Sequence, residues 1–298
     1  MFTPINQAVI RPLHPILQIN LAMVFVGTSG VLGRYVPVEA PVAIWWRACL
    51  GLVFLLAFCW YKGYGFGLRD RRQRAAVLLS GVLMAVHWIS YFYALKLGGV
   101  AIGMLAIFTY PAMTTLLEPL LLKRPFQLHH LLLAGLVLGG IYLLAPGFDL
   151  ANQATLGLLC GLGSALVYSL RNIVVKTQIA SMQGSVLMCY QAGLTVVLVA
   201  PVWYFFEAVP PAEAWPYLLG LGLFTTAIGH TLFLACFRFF SVSTTSLLSC
   251  IQPIYGILLG VVFFREVPGW SAVLGGALIL SAVAVEAVMA MRGRGVGA

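Results

Sequence analysis

The chain has 298 residues, 61% of them hydrophobic and only 8% charged, with a formal net charge of +9 and a mean hydropathy of +0.99. An ordinary soluble domain is about 25% charged, so the polar surface here is too scarce to coat a body of this size in water. Lipid must be the main solvent, and the positive charge reads as basic loops facing an anionic leaflet, not as a nucleic-acid surface.

The first fifteen residues, MFTPINQAVIRPLHP, lack the ordered charged, apolar and small-residue regions of a removable signal. A spanning helix needs about 20 apolar residues. Pro, Gly and charge clusters then divide the chain into ten candidate spans, at about 14–35, 41–61, 75–96, 100–122, 128–146, 154–175, 185–206, 215–236, 243–264 and 270–291. With the basic 62–74 loop on the cytoplasmic side, both termini lie inside. Thirteen of the 17 Lys and Arg residues, Arg171 among them, then fall on that face. The six cysteines sit in apolar segments without paired or metal-type spacing and read as small core hydrophobes.

The stretch 81–124 occurs twice. Shifted by 142 residues it lands on 223–266, aligning Lys96 with Arg238, Pro111 with Pro253 and Lys123 with Arg265. Trp45, Trp46 and Arg47 are echoed by Cys189, Tyr190 and Gln191. Ten spans and this repeat imply an all-α integral membrane protein. Its ten transmembrane helices form two inverted five-helix repeats, 13–148 and 149–291, a layout suited to alternating access. Small residues four apart, as in Ser29/Gly33, Gly135/Gly139, Gly157/Gly161, Gly256/Gly260 and Ser271/Gly275, would let backbones approach closely.

Depth selects the polar groups that matter, because polar side chains at mid-bilayer are costly unless they face a cavity or one another. His87, Tyr110 and Gln252 fall near the middle of their spans, with His230 in the inner half of its own. His87, Trp88 and Tyr91 form a helical stripe that reads either as a substrate-facing wall or as interhelical packing. Tyr168, Tyr190 and Gln191 are weaker members of the same set. Pro111 and Pro253, read as lying midway along their helices, would free the carbonyls of Ile107 and Ser249. They act either as simple kinks or as a symmetric hinge or gate.

Arg47 and Glu118 lie at different depths and do not form an ion pair; Glu118 instead pairs locally with Lys123 or Arg124, or lines an inner vestibule. Arg47, Glu118 and Glu286 are the candidate charge or proton sites. No enzymatic signature is present, and adjacent His129 and His130 diverge on a helix and make a poor metal pair. No metal or cofactor is expected.

The order of these features resembles the EamA-type branch of the drug/metabolite transporter superfamily. The resemblance rests on Ala43, Ile44, Trp45, Trp46 and Arg47, on the turns Ala94-Leu95-Lys96 and Cys236-Phe237-Arg238, on the two proline-bearing spans, and on the ending Phe263-Phe264-Arg265-Glu266. The first repeat departs from the family pattern, with Lys123-Arg124 where Gly-Glu is common. The resemblance implies a carrier of amino acids, other metabolites, sugar-linked nucleotides or drugs, with a central cavity lined by spans 1, 3, 4, 6, 8 and 9. The expectation is therefore a bacterial-type inner-membrane exporter of small amphipathic metabolites, amino acids first, working as a monomer or homodimer, with the proton as a candidate coupling ion. A lipid-carrier flippase subunit and a non-transporting membrane subunit are the alternatives.

Overall fold

A chain surrounded by lipid must satisfy its backbone internally, which leaves helices as the available element for apolar runs of this length. The computed structural model describes residues 14–144, 153–264 and 270–295, and the elements there are helical. The first half holds α1 (Pro15–Arg34), α2 (Ala40–Tyr61), α3 (Arg71–Ile107), α4 (Tyr110–Leu122) and α5 (Leu128–Leu144). The second half holds α6 (Gln153–Gln178), α7 (Gly184–Val199), α8 (Val202–Phe205), α9 (Trp215–Gly220), a π-helical segment (Leu221–His230), α10 (Thr231–Cys236), α11 (Val242–Ser249), α12 (Gln252–Phe264) and α13 (Trp270–Gly295). Large apolar side chains such as Val53, Trp60, Leu120 and Val262 stand exposed on the outside, as a lipid-facing surface requires.

Seven helical stretches among the described residues are long and apolar enough to cross a bilayer: Pro15–Gly33, Ala40–Tyr61, Arg71–Gly98, Thr155–Gln178, Gly184–Phe205, Ala212–Cys236 and Val273–Arg292. The predicted fourth and ninth spans are not continuous helices. Each is broken ahead of its proline, and the break recurs at the repeat spacing: α3 ends at Ile107 and α4 starts at Tyr110, while α11 ends at Ser249 and α12 starts at Gln252. Pro111 and Pro253 therefore occupy the second position of a new helix. There a missing N–H costs nothing, since that donor would be orphaned anyway. This corrects the expectation of prolines midway along a single helix.

Helix α3 is not one straight rod. Eight residues of helix span about 12 Å, yet a Cβ built on Gly103 would lie 3.2 Å from the Cα of Leu95. A Cβ on Gly161 would likewise meet both Ala94 and Ala106 within 3.6 Å. The chain folds back between Leu95 and Gly103, so both limbs lie along α6. Gly157 and Gly161 form the seat for this hairpin, and a side chain on Gly157 would run into the backbone of Gly98. Gly33, Gly135, Gly139 and Gly256 have nothing within 4 Å of the Cβ position, so no neighbour presses on those four glycines there. Gly140 takes the role expected of Gly139, facing the carbonyl of Gly275. The side chains of Gly260 and Ser271 lie outside the described set, as do Arg265 and Glu266.

Packing is reciprocal between the halves. α1 packs on the π segment, α10 and α12, while α6, its repeat counterpart, packs on α3 and α4. α2 packs on its counterpart α7, and α5 on its counterpart α13. Exchanging the two halves maps this pattern onto itself, so the contact surface between repeats forms the heart of the molecule. At one end Gln73 Nε2 donates to Ser181 Oγ at 3.2 Å, and Arg238 donates to the carbonyls of Ile179 and Met182. Lys96 and Glu39 form an ion pair between the α1–α2 loop and the α3 hairpin.

Candidate functional site: a buried polar cluster between the repeats

The sequence places His87 on the first limb of α3, Tyr168 on α6 and Arg47 on α2, and reciprocal packing brings these helices together. His87 Nδ1 lies 2.8 Å from Ser164 Oγ, whose own hydroxyl donates to the His87 carbonyl at 2.9 Å. Ser164 therefore accepts from an Nδ1–H, which fixes the imidazole tautomer. The ring stacks on Tyr168 at 4.3 Å and on Tyr91 at 6.2 Å. Tyr168 in turn meets Tyr110 edge-on at 5.0 Å and Phe233 at 6.3 Å. Tyr110 reaches across the repeat interface to the hydroxyl of Ser249, the last residue of α11. The two helix breaks are thus tied to each other by a side chain.

Arg47 sits deeper in the protein than its place near one end of α2 suggests. It is 3% exposed, with its Nε donating to Thr226 Oγ1 at 2.9 Å and Nη2 lying 3.2 Å from His230 Nε2. Its guanidinium lies 4.5 Å over the ring of Trp88, which also faces His230 at 5.7 Å. An arginine can only donate, so His230 Nε2 accepts and the imidazole carries its proton on Nδ1. That Nδ1 has no hydrogen-bond partner among the described residues.

The π segment makes this possible. Its wider turns aim both Thr226 and His230 at α2, and Gly51 lets the two elements touch, since a Cβ there would press on Thr226 at 2.9 Å or closer. Nothing in the local sequence marked a π-helix.

A second arginine was misplaced by sequence reasoning. Arg171 was counted with the basic loops but is fully buried in α6, because apolar flanks and charge alone do not say which side of a helix faces protein. It is bonded to Gln191, which passes the chain of hydrogen bonds to Ser80 at 3.1 Å; its Nη1 donates to Asn172 Oδ1 at 2.9 Å. Its guanidinium lies 5.7 Å from the Tyr168 ring. Buried cations are costly unless paired, and no ion pair to Arg47 or Arg171 is recorded among the described residues. Arg171 Nε, Asn172 Nδ2, His230 Nδ1 and Ser246 Oγ are buried there without a hydrogen-bond partner. The region is a surplus of donors.

The residues 14–145 and 155–286 each match the family model described as the EamA-like transporter family. The chain belongs to this family. A transporter of uncharacterised role from Archaeoglobus fulgidus is 26% identical over 268 residues, 90% of this chain and 94% of its own length. The pseudopaline exporter CntI of Pseudomonas aeruginosa is 24% identical over 247 residues, 82% of this chain and 84% of its own. A protein of known crystal structure superposes with a TM-score of 0.80 at 22% identity, covering 93% of this chain and 98% of that one, which establishes a shared fold. The protein is thus a multi-pass membrane transporter of the EamA-like family.

Within this transporter the remaining candidates divide. Gln252 and Pro253 open α12, but the Gln252 side chain has no recorded hydrogen bond to the cluster. Tyr190 lies apart, its hydroxyl bonded to the carbonyl of Phe66. Glu118 makes no recorded ion pair with Lys123 or Arg124. Its carboxylate instead accepts from the backbone N–H of Val242 at 2.9 Å and of Ser243 at 2.6 Å, and from the Ser243 hydroxyl at 2.6 Å. A negative charge on those first N–H groups complements the positive end of α11. Glu286 contacts His130 at 3.3 Å and His129 at 3.9 Å. Those two rings therefore converge instead of diverging, because the carboxylate projects from α13 between them and gives each its own oxygen. A cavity of about 760 Å³ lies away from the cluster, lined by Tyr64, Arg69, Lys176 and Arg238 among others. The groups of the cluster close on one another, with Trp88 1% and His87 6% exposed.

Proposed function

We propose that this transporter is an inner-membrane secondary carrier exporting small amphipathic metabolites with a carboxylate, amino acids first among them. It would work by alternating access of two inverted five-helix halves, with both termini cytoplasmic. The observation that carries this reading is the pair of buried arginines, Arg47 and Arg171, with neighbouring donors unpartnered and no acidic partner recorded. A carboxylate supplies the missing negative charge and acceptors, while Trp88, Tyr91, Tyr110 and Tyr168 offer faces to an apolar or cationic remainder. His230 donates through Nδ1, and His87 borders the same space. The breaks at Tyr110–Pro111 and Gln252–Pro253 act as the paired hinges. The packed cluster is then the closed form of the site. Ten crossings follow if each broken span completes its passage through two short helices and the shorter apolar α5 also crosses.

The tight packing also favours a second reading, a non-transporting membrane subunit whose polar centre only locks helices together. Proteoliposomes loaded with a panel of amino acids and other carboxylates, with and without a pH gradient, separate the two. His87→Ala and Tyr110→Ala lower transport at unchanged folded yield on the first reading. Loss of folded protein with no transport by the wild type sinks it.

A further inference from the structure

His129 and His130 begin α5, and Glu286 belongs to α13, the repeat counterpart of α5. One ligand atom from each lies within 4.8 Å of the other two. Glu286 is 1% exposed and His130 6%, while the side chain of His129 is 35% exposed and leaves a path to solvent. Glu286 Oε2 has no hydrogen-bond partner among the described residues, and its other oxygen has a single long contact at 3.3 Å to His130. A buried carboxylate so poorly served is costly. Thr244 Oγ1, at the start of α11, stands 3.4 Å from His130 Nε2.

We propose that His129, His130 and Glu286 form a divalent transition-metal site of the zinc type, bridging the last helices of the two repeats. Two imidazole nitrogens and one carboxylate oxygen suit zinc and its neighbours and not magnesium or calcium, which prefer oxygen ligands. Tetrahedral bonds of about 2.0–2.1 Å place ligand atoms roughly 3.3 Å apart. The contacts of 3.3 Å (Oε1 to His130) and 3.9 Å (Oε2 to His129) use different oxygens, and one ligand atom from each residue lies within 4.8 Å of the others, so closing on a single ion takes an inward shift of the side chains by up to about 1.5 Å. On binding, each Nε2 gives its lone pair to the metal, and any proton held there leaves to solvent. The fourth position stays open to water or the Thr244 hydroxyl. The ion ties α5 to α13 at one end of the bundle, away from the arginine cluster.

The test uses the full chain in detergent, purified through a tag without histidines, titrated with Co²⁺ as a spectroscopic probe and with Zn²⁺ by calorimetry. The site predicts one metal per chain and visible Co²⁺ bands of four-coordinate type. His130→Gln and Glu286→Gln weaken binding by about tenfold or more, since even outer-sphere changes cost 10–100-fold. His129→Gln, altering the partly exposed ligand, gives the same loss at an unchanged elution profile. No binding by the wild type, retained affinity in all three variants, or a thiolate charge-transfer band that assigns the metal to cysteine would each overturn the proposal.

Discussion

Replacing Arg47 with methionine separates a substrate-binding arginine from a structural one. In the folded protein the guanidinium makes hydrogen bonds of 2.9 and 3.2 Å and lies 4.5 Å over Trp88. Hydrogen bonds to a charged group contribute about 1.5–3 kcal/mol each, and a desolvated cation–π contact about 2 kcal/mol. Against these stands a desolvation cost of several kcal/mol for the buried cation. The two sides nearly cancel, and methionine has a similar length without the cost. Folding stability should therefore change little: about 1–2 kcal/mol, or roughly 2–8 °C at 2–4 °C per kcal/mol by the scale of soluble domains.

Transport should respond very differently. A carboxylate 4 Å from the guanidinium gains about 4 kcal/mol at an effective dielectric constant near 20. Its loss lowers transport of a carboxylate substrate by about 10²–10³-fold, at 1.4 kcal/mol per factor of ten. Counterflow in proteoliposomes measures the first quantity, and thermal unfolding followed by size-exclusion fluorescence the second. A variant that transports normally, or one whose folded yield collapses, refutes the reasoning.

Glu118→Gln removes the charge at the start of α11 and turns an amide donor toward two backbone donors, which should cost about 2–3 kcal/mol, read as a lower melting temperature. Gly157→Ala presses a methyl group onto the Gly98 backbone, 2.6 Å from its Cα, whereas Gly135→Ala enters open space. The first should lower folded yield by the cost of overpacking, about 1–3 kcal/mol, and the second should leave it unchanged. Glu39→Gln breaks only the half-exposed pair with Lys96, and its folding stability, read by thermal unfolding, should stay within about 1 kcal/mol of the wild type.

Much of the candidate site was legible because depth along an apolar run is a one-dimensional quantity. His87, Tyr110 and His230 were found that way, and each contacts Tyr168 or Trp88. Gln252 satisfied the same depth rule without making a recorded side-chain bond to the group. Depth gives level but not direction around a helix, and lipid and protein interior present the same apolar chemistry to a hydropathy scale. Arg171 illustrates the limit: its neighbours in sequence do not say that Gln191, twenty residues away, will receive it.

The amino-acid sequence by itself determined the solvent, the helical class, the 142-residue repeat and the matching places of Pro111 and Pro253, since each follows from local composition or self-comparison. Tertiary structure alone decided which polar groups meet. Arg47 with Thr226, Glu118 with Val242 and His130 with Glu286 all join residues more than a hundred positions apart. The π turn that aims His230, and the breaks at Ile107 and Ser249 ahead of the two prolines, belong to the same class. The physical reason is that a buried charge is stabilised only by the few atoms around it, and those atoms are chosen by how the two halves dock.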